Sequence, residues 1–134
     1  NHANYHHGDA SMYETITSMA KSYIGTNNIN FLLPIGQFGS RINNKASAPR
    51  YIGTAINPIA YKIFHPMDMP LLTYVNSDGI LVEPEYYVPI IPTVLLNTIR
   101  GIGTGYSTYI PSYNPIDIIK NLLLFSLTLA TSDV

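Results

Sequence analysis

The chain has 134 residues, seven basic and eight acidic, for a net charge of −1 with the histidines neutral. Charged residues make up 11%, well below the roughly 25% usual for a globular domain, and apolar residues make up 46%, enough for a core. This balance excludes a basic, sequence-blind nucleic-acid arm, but not a DNA site built from a few local contacts and completed by another segment. The lack of cysteine excludes a disulfide framework and a thiolate zinc site.

The first residues, Asn1 to Asp9, are polar and histidine-rich, unlike a signal peptide. Asp9 is placed to cap a helix running to about Tyr23, with Met12, Ile16, Met19, Ala20 and Tyr23 on one face. Gly25 ends it, and Thr26-Asn27-Asn28 is a turn. Phe31 to Ile35 reads as a short strand, broken by Gly36-Gln37-Phe38-Gly39. Arg41 to Pro49 has no periodicity and reads as a loop, so Tyr51 stands at a loop exit.

Asn57-Pro58 is an N-cap followed by proline at the first helical position, opening a short helix through Ile59, Ala60, Ile63 and Phe64. Leu71 to Val75 and Ile80 to Val82 flank Asn76-Ser77-Asp78-Gly79, a hairpin signal. Pro84, Pro89 and Pro92 punctuate the apolar stretch that follows, and Gly101, Gly103 and Gly105 read as a glycine-rich loop. Asn114-Pro115 repeats the cap signal and opens a last helix through Ile118, Ile119, Leu122 and Leu123. The longest uncharged apolar stretch, Leu122 to Ala130, falls far short of the ~20 residues of a spanning helix. Helix and strand alternate without a regular βαβ rhythm, so the expected class is α+β. A soluble intracellular protein with no membrane partner is expected. With no initiator methionine, the chain also reads as a piece of a longer one.

Three groups of residues could carry chemistry. His6-His7-Gly8-Asp9, with His2 upstream, offers clustered imidazoles. No HExxH or CxxC accompanies them, and adjacent histidines point different ways, so solvated histidines outrank a metal site. Because they precede a helix start, they could instead touch phosphate at its free N–H groups. Ala48-Pro49-Arg50-Tyr51 pairs a phenol with a guanidinium. A tyrosine hydroxyl is a poor nucleophile unless a cation or metal stabilises the phenolate, and Arg50 could also hold a phosphate oxygen bidentately. In a chain with eleven tyrosines, an ordinary buried tyrosine is the competing reading. Gly101-Ile102-Gly103-Thr104-Gly105 does not fit GxGxxG spacing. Its isolated isoleucine on a thin backbone looks like the wedge of a DNA-bending protein.

Five motifs occur in order: Tyr5-His6-His7-Gly8-Asp9, Leu33-Pro34-Ile35-Gly36-Gln37-Phe38-Gly39-Ser40-Arg41, Ala48-Pro49-Arg50-Tyr51-Ile52, Val82-Glu83-Pro84-Glu85-Tyr86-Tyr87 and Gly101-Ile102-Gly103-Thr104-Gly105. Their sequence and spacing resemble a type IIA DNA topoisomerase, most closely the eukaryotic topoisomerase II branch that large DNA viruses share. The stretch from His7 to Ile16 is more similar to the bacterial gyrase form. The resemblance spans residues 4–120.

The resemblance implies a fragment of a larger multidomain protein, taken from its breakage–reunion core: a winged-helix domain over residues 1–88, then the start of a tower domain over 89–134, with a divergent end from about residue 124. By the same resemblance Tyr51 is the nucleophile that forms a 5′-phosphotyrosyl link, Arg50 and His7 stabilise the reacting phosphate, and Ile102 intercalates to bend the cleaved DNA. Tyr5, His6, Gln37, Arg41 and Lys45 are the further DNA contacts it implies. It also implies double-stranded DNA as partner, a homodimer, and Mg2+ and ATP held by domains other than this one, with no metal ligands here. The family's location is the nucleus, or the host cytoplasm or nucleus for a viral protein. Two departures stand out. Asn43-Asn44-Lys45-Ala46 is shorter than the family's loop and lacks its glycine pair and acidic residue. Thr98-Ile99-Arg100 replaces Gly-Ala-Glu, adding a positive charge. The rival readings are a winged-helix DNA-binding module without chemistry and a small metal hydrolase using His2, His6 and His7.

Overall fold

A computed structural model describes residues 8–132. It contains four α-helices and three separate antiparallel strand pairs, in agreement with the α+β expectation. Helix α1 spans Asp9–Ala20, and its N-cap is Gly8, which makes no side-chain cap bond, so Asp9 is the first helical residue instead of the cap. The helix also stops three residues short of Tyr23. The Asn27 side chain donates to the carbonyls of Ser18 (2.6 Å) and Lys21 (2.9 Å), taking up acceptors of the last turn as the chain leaves it. Such local side-chain bonds compete with helix continuation.

Strand β1, Leu32–Ile35, pairs antiparallel with β2, Gly53–Ile56, from Leu32 opposite Ile56 to Ile35 opposite Gly53. β2 was not legible in the sequence, because its Gly-Thr-Ala-Ile has little alternation and its partner lies far along the chain. Asn57 closes the pair. Its N–H donates to the Phe31 carbonyl (2.9 Å), its side-chain N–H to the Asn30 carbonyl (2.8 Å), and its Oδ1 accepts from the Ile59 N–H (3.2 Å), capping helix α2, Pro58–Ile63.

Residues Pro66–Leu71 then form a 3-10 helix, capped by His65 Nδ1 accepting from the Met67 N–H at 3.2 Å. This turn takes Leu71 out of the expected strand. The hairpin is therefore β3, Tyr74–Ser77, with β4, Ile80–Pro84. Its two-residue turn has Asp78 at φ 53° and Gly79 at φ 85°, the left-handed pair that such a hairpin turn needs. A one-turn helix α3, Thr93–Leu96, follows within the proline-punctuated stretch.

The glycine-rich stretch expected to be a loop is a β-hairpin. Strand β5, Ile99–Gly103, pairs with β6, Tyr106–Ile110, around a Thr104-Gly105 turn with Gly105 at φ 79°. Gly101 and Gly103 take regular ladder positions opposite Thr108 and Tyr106. Helix α4, Pro115–Ser132, opens at Asn114, whose Oδ1 accepts from the Ile116 N–H at 2.9 Å. Among the described residues, no helix is long and apolar enough to cross a membrane.

The core joins Ile63, Ile91, Leu96 and Ile118, with Ile29, Phe31, Ile59, Phe64, Leu95 and Leu122 packed against it. Phe64 meets Phe31 and Tyr87 edge-on, at centroid distances of 5.5 and 5.7 Å. Asn97 fastens the two sides by a reciprocal pair: its Oδ1 accepts from the Ile29 N–H (3.1 Å) and its side-chain N–H donates to the Ile29 carbonyl (2.9 Å). Residues on both sides of position 88 thus share one core.

Candidate functional site

The β1–β2 register determines where Tyr51 sits. With Ile35 opposite Gly53, the end of β1 and the start of β2 lie side by side, so Gly36 emerges against the residues just before β2. Gly36 has φ 102°, and a Cβ there would stand 3.1 Å from Ile52 Cγ2 and 3.3 Å from the Tyr51 carbonyl oxygen. Gly39, at φ 101°, is tighter: its Cβ would be 2.9 Å from the Asn44 carbonyl carbon. Both positions therefore need glycine for conformation and for space.

These close approaches fold residues 36–47 back on themselves. The Ser40 N–H donates to the Asn43 carbonyl (2.7 Å) and the Ser47 N–H to the Gln37 carbonyl (3.0 Å). Lys45 N–H donates to Asn43 Oδ1 (3.1 Å), and Lys21 Nζ reaches the Asn44 carbonyl from the end of α1 (2.8 Å). Gln37, Arg41 and Lys45 are all exposed on this turn, and Gln37 is tied by its backbone to Ser47, close in sequence to Tyr51. The Asn43-Asn44 loop is thus a closed turn, with both asparagine backbone carbonyls accepting hydrogen bonds.

Tyr51 is carried on a one-turn 3-10 helix, Pro49–Tyr51, closed by the Tyr51 N–H donating to the Ala48 carbonyl at 2.9 Å. Pro49 presets the first φ of that turn. The Tyr51 side chain is 69% exposed, which removes the ordinary buried-tyrosine reading. The Arg50 guanidinium carbon lies 4.7 Å from its ring centroid, within cation–π range. Beneath the turn is a cavity of about 170 Å³ between Tyr13, Ile16 and Thr17 of α1 and Phe38, Pro49, Ile52, Gly53 and Thr54. The same helix begins at Asp9, directly after the Tyr5-His6-His7-Gly8 motif. Tyr5, His6 and His7 lie outside the described residues, as does His2.

Ile102 is the last residue but one of β5, opposite Ser107, and is 86% exposed. It does not pack inside its own hairpin. Its neighbour Arg100 lies over the Tyr109 ring, 5.6 Å from the centroid. Reading this segment as a loop missed that pairing. The signal was present in the alternation of Ile99-Arg100-Gly101-Ile102 against Tyr106-Ser107-Thr108-Tyr109 across a Thr-Gly turn.

An exposed phenol beside a guanidinium, with a projecting apolar side chain on a separate hairpin, is an arrangement able to attack and deform a nucleic-acid backbone. The chain is similar to known proteins over most of its length. The family model for the A-type subunits of DNA gyrase/topoisomerase IV matches residues 2–127. The chain is 52% identical to the DNA topoisomerase 2 of Saccharomyces cerevisiae over 120 residues, covering 88% of this chain and 8% of that protein. To the DNA topoisomerase 2 of Plasmodium falciparum it is 52% identical over 122 residues, covering 90% of this chain and 9% of that protein. The fold matches a crystal structure of the P. falciparum topoisomerase II DNA-binding, cleavage and re-ligation domain with a TM-score of 0.89 and 49% identity, covering 95% of this chain and 18% of that one.

The family match and the fold define a segment of a type II DNA topoisomerase. The chain belongs to the family of DNA gyrase/topoisomerase IV A-type subunits, in its eukaryotic topoisomerase II branch. It spans less than a tenth of the length of the relatives it matches.

Proposed function

We propose that this segment supplies the DNA-cleaving tyrosine of an ATP-dependent type II topoisomerase, which cuts and reseals one duplex to pass another through it. The observation that carries this reading is the exposed Tyr51 ring on its 3-10 turn, with the Arg50 guanidinium 4.7 Å from its centroid. The Tyr51 hydroxyl oxygen attacks a backbone phosphorus. The new O–P bond forms as the bond to the 3′ oxygen breaks; the phenol gives up its proton and the departing 3′ oxygen gains one. The product is a 5′-phosphotyrosyl ester, which keeps the energy of the broken bond for resealing, whereas hydrolysis would lose it. Extra negative charge develops on the phosphate oxygens in the transition state. Arg50 and His7 are the groups assigned to meet it. Two strands require two tyrosines, one from each protomer of a homodimer.

The remaining assignments rest on the family resemblance. Residues 1–88 are the winged-helix part and 89–134 the start of the tower. Tyr5, His6, Gln37, Arg41 and Lys45 contact double-stranded DNA, and Ile102 enters a base step. Among the described residues, no three His, Cys, Asp or Glu side chains come together to hold a metal ion. By that resemblance, Mg2+ and ATP belong to other domains of the complete enzyme, and this chain alone is expected to be inactive.

Tyr51→Phe in the complete enzyme tests the reading. The substitution keeps the ring and removes the attacking oxygen. Loss of covalent DNA capture with retained DNA binding is expected. Residual covalent adduct would move the nucleophile elsewhere, and full activity would leave the non-catalytic winged-helix module as the correct description.

A further inference from the structure

Between Glu85 and Asp117 the only charged side chain is Arg100. It stands two residues before Ile102 on β5. In an antiparallel pair, side chains alternate between faces, and directly opposed residues share one. The register Arg100 opposite Tyr109 and Ile102 opposite Ser107 therefore puts Arg100, Ile102, Ser107 and Tyr109 on one face of the hairpin. Gly101, Gly103, Tyr106 and Thr108 take the other, where the two glycines leave the backbone thin. The sole cation thus shares a face with the projecting apolar side chain of Ile102. Its guanidinium rests on the Tyr109 ring, which orients it.

From this placement we infer that Arg100 grips a DNA backbone phosphate beside the base step that Ile102 opens. The inference rests on the wedge role proposed for Ile102. Residues two apart on a strand are about 6.8 Å apart, which is about two base rises along one DNA strand. With Ile102 seated in a step, Arg100 is carried to the flanking backbone. Its planar fork suits two phosphate oxygens. Tyr109 holds the fork by its ring face and leaves the guanidinium edge free. No carboxylate lies on the hairpin to compete for it. The contact joins local charge neutralisation to the bend: the phosphate flanking the opened step meets the cation that accompanies the wedge.

The test is the salt dependence of DNA binding by the complete enzyme on a short duplex, for the wild type, Arg100→Gln and Arg100→Lys. Each neutralised phosphate contributes about 0.9 to the slope of log affinity against log salt. Arg100→Gln should lower that slope by about 0.9 per contact, and Arg100→Lys, which keeps the charge, should restore it. An unchanged slope in Arg100→Gln, or an equal fall in both variants from disruption of the hairpin, overturns the assignment. Ile102→Ala, scored by bend angle on the same duplex, tests the wedge separately: a lost bend with an unchanged Arg100→Gln slope refutes the phosphate contact alone, and an unchanged bend refutes the wedge.

Discussion

The guanidinium of Arg50 and the ring of Tyr51, adjacent in sequence, stand 4.7 Å apart at the mouth of the β1–β2 pair. In the proposed mechanism this cation meets the charge that gathers on the phosphate under attack by Tyr51. Replacing Arg50 by Gln should lower DNA cleavage by about 10²- to 10³-fold, the range for loss of one preorganised charge-stabilising group, with DNA binding largely kept. Lys at this position should recover part of the loss, since it supplies charge without the bidentate fork. Single-turnover cleavage rates beside binding affinities check both statements. Equal rates for Arg50→Gln and the wild type would remove Arg50 from the chemistry.

Gly39→Ala tests the folded-back turn that carries Gln37, Arg41 and Lys45. Its new Cβ would fall 2.9 Å from the Asn44 carbonyl carbon at a φ of 101°, and strain of this kind costs on the order of 1–3 kcal/mol. The bonds from Ser40 N–H to the Asn43 carbonyl and from Ser47 N–H to the Gln37 carbonyl should open. Hydrogen exchange at the Ser40 and Ser47 amides should speed up, while the Asn57 amide, bonded at the other end of β1 and β2, should keep its protection. Unchanged exchange at Ser40 and Ser47 would show that the close approach does not control the turn.

Asn97 is the predicted weak point of the core. Truncation to Ala leaves both the N–H and the carbonyl of part-buried Ile29 without their partner. Each group left unpaired costs about 1–3 kcal/mol, so the two together set a total loss of about 2–6 kcal/mol. Urea unfolding of the 134-residue chain, read as a fall in midpoint at constant slope, measures it. A midpoint within error of the wild type would mean that water satisfies these groups as well as Asn97 does.

Ile102→Ala separates a wedge from a packing residue. With 86% of the side chain exposed, truncation removes almost no buried contact and should leave thermal stability unchanged. Energy transfer between dyes on a bound duplex should report a smaller bend, and cleavage should fall with it. A lower melting temperature with an unaltered bend would contradict the assignment.

The parts of the fold that the sequence showed are those set by local bonds. Asn57 and Asn114 each accept from the N–H two residues on, as an Asn-Pro cap implies. Asn76 accepts from Gly79 across the left-handed turn of the β3–β4 hairpin. Non-local bonds were hidden. The early end of α1 depends on Asn27 reaching back to Ser18, and β2 exists because β1 is there to pair with it. The β5–β6 hairpin was masked by glycines that elsewhere signal loops. At the site, Arg50-Tyr51 stood out through its motif alone, since nothing local distinguishes Tyr51 from ten other tyrosines. The demand for glycine at positions 36 and 39 becomes clear only once β1 and β2 are paired.

The central claim is that Tyr51, among eleven tyrosines, forms the covalent link to DNA. The most direct test traps the complete enzyme on a nicked duplex, digests the protein and identifies the peptide that bears the nucleotide by mass spectrometry. A 5′-phosphoryl adduct is expected on the peptide containing Arg50-Tyr51-Ile52, at Tyr51, and no adduct in Tyr51→Phe. A nucleotide on any other residue, or an adduct that persists in Tyr51→Phe, contradicts the claim.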